Sequence, residues 1–175
     1  MSIIIFSRPI HSGKTSELLH WCDKHVSSKI SGVLMPDIDG ARKIYNIQTK
    51  EIFDIECKDP ANTKEPLQSV GHYHFFSKAF EKANAILLEA SASESNWVII
   101  DEAGKLELQC NGLYEAIKNL TARSVYQTPD KNLLIVVRDS LYESVVSFFN
   151  IPDHTLVHQL NEITLSAVAD PDSGN

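Results

Sequence analysis

Residues 3–15 constrain this chain more than any other stretch. Ile3, Ile4, Ile5 and Phe6 form an unbroken apolar run, the pattern of a strand buried on both faces. Ser12-Gly13-Lys14-Thr15 follows closely, and Leu18, Leu19, Cys22 and Val26 then recur at three- and four-residue intervals. That spacing predicts an amphipathic helix over residues 14–28. A buried strand turning directly into a helix is the opening unit of an α/β sheet.

The chemistry of the junction follows from its residues. A glycine before Lys14 lets backbone N–H groups approach phosphate oxygens, and a helix opening there adds its positive dipole end and unpaired amides. Gly-Lys-Thr ends the Walker A pattern GxxxxGK[ST], so Arg8, Pro9, Ile10, His11, Ser12, Gly13, Lys14, Thr15 and Ser16 form the candidate nucleotide-binding loop. Lys14 is expected at the helix start, outside the core, reaching the β- and γ-phosphates. The Thr15 hydroxyl is expected to ligate Mg2+. The first half of the pattern is not met: Arg8 stands at the first glycine position and His11 at another that is often glycine. Arg8 would then bring a positive charge near the phosphates.

Further on, residues 33–36, 43–47 and 52–56 read as short strands, with Asp37-Ile38-Asp39-Gly40 turning between the first two. They predict a small antiparallel insert. Residues 58–66 carry two prolines and read as a surface loop. Phe80, Ala83, Leu87 and Ala90 mark a helix beginning at Ala79, and a helix over residues 112–120 follows with Asn111 as its N-cap. Residues 133–137 form another buried strand. Ser140 and Glu143 have capping-box spacing ahead of a helix carrying Leu141, Val145 and Phe149, and residues 155–160 read as a last strand. Strands alternating with helices predict a mostly parallel α/β sheet with helices on both faces. One domain over residues 1–165 and a frayed polar tail over 166–175 are expected. Ligands in such folds bind at the carboxyl ends of the strands, which directs attention to residues 7–15, Asp101 and Arg138.

Trp97-Val98-Ile99-Ile100 ends in Asp101-Glu102, the arrangement called Walker B. Asp101 at the strand end is expected to hold Mg2+, and Glu102, leaving the sheet one residue later, to accept a proton from an attacking water. Two adjacent carboxylates repel one another, so the pair makes more sense with a cation present.

A formal net charge of -7 offers no basic footprint for nucleic acid or a membrane surface. Cys22, Cys57 and Cys110 form no CxxC pair, and no apolar run is long enough to span a bilayer, so a reducing, cytoplasmic setting is the expectation. His72-x-His74 and His154-x-x-x-His158 have metal-like spacings but fall in segments that read as structural.

The stretch Ile100-Asp101-Glu102-Ala103-Gly104-Lys105-Leu106-Glu107-Leu108 resembles the IDE-x-GK-x-EL signature of the THEP1-type nucleoside-triphosphatases. Val70-Gly71-His72-Tyr73, the Ala79-Phe80-Glu81-Lys82-Ala83 helix, and Gly32-Val33 with Arg42 and Tyr45 are also similar to that family, and the likeness spans roughly residues 2–160. It implies a P-loop NTPase three-layer sandwich and magnesium-dependent hydrolysis of nucleoside triphosphates to diphosphate and phosphate. Asn161-Glu162-Ile163-Thr164 lacks the arginine of the family's corresponding segment, which makes Arg138 the candidate substitute. Lys105 is a candidate for reaching phosphate or holding its loop. Residues 6–19 also resemble the start of tetrameric thymidine kinases, although that family's zinc cysteines are absent. A nucleoside or nucleotide kinase, and a nucleotide-binding protein with little turnover, therefore stand as alternatives to hydrolysis.

Overall fold

The structure, a computed structural model, describes residues 2–25, 29–122, 131–151 and 153–163. The opening apolar run extends into β1 (Ser2–Arg8), which leads through the loop into α1 (Lys14–Lys24). Then come β2 (Ile30–Leu34), β3 (Asp37–Ile38), β4 (Ala41–Asn46) and β5 (Ile52–Asp54). A hairpin of β6 (Leu67–Val70) and β7 (Tyr73–Phe76) precedes α2 (Ser77–Ala92) and β8 (Trp97–Ala103). The remaining elements are α3 (Tyr114–Thr121), β9 (Asn132–Arg138), α4 (Tyr142–Phe148) and β10 (Thr155–Val157).

The main sheet runs β10-β1-β9-β8-β2-β4-β3, with β5 paired to β4. Its β10, β1, β9, β8 and β2 neighbours are parallel, whereas β4 pairs antiparallel with β2, β3 and β5. The antiparallel insert is therefore continuous with the main sheet. The β6–β7 hairpin forms a separate antiparallel pair.

Each central strand is apolar at successive positions because helices cover both faces. Ile3, Ile5, Val98, Ile100, Leu133 and Ile135 pack with residues of α2, α3 and α4. Phe6, Trp97, Ile99, Leu134 and Val136 pack on the other face against Leu18, Trp21 and Cys22 of α1. Gly32 marks the closest approach within the sheet: its φ is +125°, and a Cβ there would lie 2.1 Å from the Ile99 carbonyl oxygen. No larger residue fits that position without moving the backbone of β8.

Several local expectations change. The first helix ends at Lys24, and Val26 lies outside the described residues. Asp37 and Ile38 belong to β3, which narrows the turn to Asp39-Gly40, both at positive φ. Asn111 is not an N-cap, because α3 begins later, at Tyr114, whose N–H donates to the Asn111 carbonyl. The amides at this helix entrance are satisfied from distant elements: Ala116 N–H donates to Asn84 Oδ1 (2.8 Å), Leu113 N–H to Glu107 Oε1 (2.9 Å) and Gly112 N–H to Gln68 Oε1 (2.7 Å). The Ser140–Glu143 capping box does not form, since a 3-10 turn at Asp139–Leu141 moves the start of α4 to Tyr142. A capping box occurs instead between Gln159 and Glu162, where the last strand has already given way to the 3-10 turn Leu160–Glu162. Among the described residues, no helix is long and apolar enough to cross a membrane. The 166–175 tail lies outside the described residues.

Candidate functional site

The loop between β1 and α1 turns through two left-handed residues, His11 at φ 58° and Gly13 at φ 78°. Glycine adopts this conformation freely, whereas for His11 it costs about 1 kcal/mol. Arg8 presents no such problem: it is the last residue of β1, and extended backbone there accepts a side chain. Gly13 is the N-cap of α1 and supplies no side-chain cap, so the first-turn amides of the helix remain available to an anion.

Lys14 folds back across the loop. Its Nζ donates to the carbonyls of Arg8 (3.1 Å) and Pro9 (2.8 Å), and the residue is only 8% exposed, although it belongs to neither apolar core. These two carbonyls draw the ammonium inward. Burial lowers its pKa, against the opposing pull of Glu102 and Asp101; Arg138 and Arg8 lower it further.

The Arg8 side chain braces the loop. It donates to the Ser12 carbonyl (3.1 Å), pairs with Glu17 on α1 (2.6 Å) and lies over the Phe6 ring at 5.0 Å. The charge expected near phosphate is thus already engaged by a carboxylate.

Asp101 and Glu102 differ sharply in setting. Asp101 is 2% exposed, accepts the Met35 N–H at 3.1 Å and has the Thr15 hydroxyl beside it. Burial pushes its pKa up from 3.8 to about 6, the Met35 and Thr15 hydrogen bonds opposing the rise. Among the described residues no salt bridge reaches it. A buried carboxylate beside a hydroxyl is a hard-oxygen donor pair, which fits magnesium better than zinc or copper.

Glu102 does not leave the sheet at the strand end as expected, because β8 continues to Ala103. The ladder to β9 instead slips by one residue: Asp101 opposes Val136, Ala103 opposes Val137, and Glu102 has no partner. This bulge lets Ala103 rejoin the α2-facing core while Glu102 is set out of the ladder. Its carboxylate receives the guanidinium of Arg138 at the end of β9, with Arg138 Nε on Oε1 and Nη2 on Oε2 at 3.4 Å. The contact raises the Arg138 pKa.

These groups converge on one cleft of about 450 Å³, lined by residues 10–16 together with Met35, Arg42, Asp101, Glu102 and Arg138. It collects most of the expected loop, including Ile10, His11, Ser12, Gly13, Lys14, Thr15 and Ser16, whereas Arg8 and Pro9 do not line it. Lys105 is not in this cleft; it lines an adjoining cavity. Arg42 and Met35, which sequence reasoning did not single out for the site, wall both spaces, the Arg42 guanidinium donating to the Met35 carbonyl at 3.4 Å. The available signal was the position of Arg42 within the family-like hairpin.

The histidines with metal-like spacing lie outside this cleft. His72 lies in the β6–β7 turn, while His74 Nδ1 pairs with the Ser69 hydroxyl. His154 Nδ1 donates to the Ile151 carbonyl and its Nε2 accepts from the Tyr142 hydroxyl, while His158 Nδ1 donates to the Ser7 carbonyl.

Comparison with solved structures gives the same fold at low sequence identity. THEP1 from the hyperthermophile Aquifex aeolicus superposes with a TM-score of 0.65 at 21% identity, covering 90% of this chain and 89% of that one. A human cancer-related nucleoside triphosphatase gives 0.62 at 20% identity, covering 93% and 90%. No curated protein matches by sequence. The sequence profile of the NTPase family spans residues 3–164, taking in the loop, the acidic pair and the β9 arginine, and the chain belongs to that family.

Proposed function

We propose that this protein hydrolyses nucleoside triphosphates to the diphosphate and phosphate in a magnesium-dependent reaction. One observation carries the proposal: the open amides of α1, Lys14 and the Asp101–Glu102 pair face a single cleft. The amides and Lys14 would receive the β- and γ-phosphates, Lys14 exchanging two loop carbonyls for phosphate oxygens. Thr15 and Asp101 would hold magnesium, whose charge neutralises the phosphate oxygens. Glu102 would take a proton from water as its oxygen bonds to the γ-phosphorus and the bridging bond to the diphosphate breaks. Arg138, drawn from Glu102 towards the incoming phosphate, would both free the base and balance developing charge.

A second reading is favoured by the same contact. Both Glu102 oxygens face Arg138, so a protein in which that pairing persists with nucleotide bound would bind and scarcely turn over. A panel of triphosphates with magnesium, scored for binding by calorimetry and for phosphate release, separates the readings. Binding with release supports hydrolysis; binding alone supports the second reading. Lys14→Ala protein that remains folded and binds triphosphate like the parent would remove both.

A further inference from the structure

Beyond Glu102 and Arg138 lies a second cavity of about 300 Å³, which shares Met35, Arg42, Glu102 and Arg138 with the phosphate cleft. Its size is at the lower end for small-molecule sites. The cavity is two-sided. Away from the cleft it is aromatic: the Tyr73 and Phe75 rings lie 16° from parallel at 6.1 Å, His72 packs on Tyr73 at 4.1 Å, and Phe80 meets Phe75 edge-on at 5.9 Å. The polar residues that it shares with the cleft are Arg42, Glu102 and Arg138, and Lys105 also lines it.

A water molecule attacking phosphorus needs none of the aromatic wall. A ligand that fills both halves needs a planar face for the aromatic residues and a polar end for Glu102 and its basic neighbours, and a nucleoside offers both in its base and its sugar hydroxyls. The polarity of the cavity then orients it, ring against Tyr73 and Phe75, hydroxyls towards Glu102.

We propose that this second cavity is a phosphoryl-acceptor site for a nucleoside, giving the protein a phosphotransferase activity beside hydrolysis. A sugar hydroxyl takes the place of water: Glu102 accepts its proton, its oxygen bonds to the γ-phosphorus, and the β–γ bridging bond breaks to release the nucleoside diphosphate. The products are a nucleoside monophosphate, the diphosphate and one proton, passed from Glu102 to solvent. The inference rests on the phosphate-cleft reading, in which the γ-phosphate faces Glu102. The donor's own base therefore lies elsewhere.

The test uses the full chain with magnesium and ATP labelled at the γ-phosphate, alone and with adenosine, guanosine, cytidine, uridine or thymidine. Labelled phosphate and labelled nucleoside monophosphate are separated by chromatography, and ATP binding is measured by calorimetry. Label is expected in the monophosphate of at least one nucleoside. Tyr73 is 42% exposed, so truncation should leave the fold intact. Tyr73→Ala is expected to lower transfer about tenfold, the loss of one base–ring stack, while ATP affinity and phosphate release without nucleoside stay within about twofold. Tyr73→Phe, which keeps the ring, should retain transfer. ATP hydrolysis with all label in inorganic phosphate whichever nucleoside is added would overturn this inference alone, as would transfer unaffected by Tyr73→Ala. Absence of ATP binding would overturn the phosphate-cleft reading as well.

Discussion

Glu102 and Arg138, at the ends of neighbouring parallel strands, face each other with two donor–acceptor contacts. The arrangement couples the proposed base to the one arginine of β9. Glu102→Gln keeps the shape but cannot accept a proton, so triphosphate affinity should hold while turnover falls about 10²- to 10⁴-fold. Because the two side chains act as a unit, the losses from Glu102→Gln and Arg138→Ala should not add in the double variant. Steady-state phosphate release for the four proteins measures this; strictly additive losses would show that the pair acts independently.

Arg8→Gly restores the glycine of the motif and removes the bond to Ser12, the pair with Glu17 and the contact with Phe6. The backbone gains nothing from glycine at an extended position. The expected result is a loss of about 1 kcal/mol in stability by urea denaturation, together with a change in triphosphate affinity as the loop loosens. Unchanged affinity and turnover would make Arg8 a bystander.

Asp101 gives a pH-dependent signature in protein free of metal and nucleotide. Its folded pKa of about 6 lies above the ordinary 3.8, so folding binds its proton more tightly than the unfolded chain does. Stability tied to this group is therefore present at low pH and lost as pH rises through about 6. Asp101→Asn, which cannot ionise and can still accept the Met35 N–H, should be more stable than the parent at pH 8, by up to roughly 3 kcal/mol. The advantage should vanish below pH 4. Paired denaturation curves at the two pH values check it; an advantage independent of pH would exclude the ionisation argument.

Gly32→Ala should separate β2 from β8. With Ile99 backbone atoms where the Cβ would go, the cost is backbone displacement, and a destabilisation of more than about 2 kcal/mol is expected in urea. An alanine variant as stable as the parent would contradict the close approach.

The parts of the fold legible in the sequence were those whose signal is local. Ile3 to Phe6 and Trp97 to Ile100 announce buried strands by composition alone, and Gly13-Lys14-Thr15 is readable because it falls between one such strand and an amphipathic helix. The β6–β7 hairpin escaped because Gln68, Ser69 and His74 alternate with apolar residues only weakly over two short strands. Ser140 and Glu143 have capping-box spacing, yet the 3-10 turn ahead of them shifts the helix start. The partners of Glu102 and Lys14 were out of reach for another reason. Arg138 meets Glu102 only through strand order, and Lys14 turns inward because its loop carbonyls accept it, neither of which leaves a mark in residue spacing.

The entrance to α3 also bears on the order in which the molecule can assemble. Its amides are met by Asn84 of α2, Glu107 of the turn after β8 and Gln68 of the hairpin, while the helix itself spans only residues 114–121. A segment of that length is below the size at which a helix persists unaided in water. A peptide of residues 111–122 should therefore be a coil by circular dichroism. In the refolding chain α3 should acquire hydrogen-exchange protection only after α2 and β8 have docked, making it a late-arriving element whose register is dictated by its neighbours.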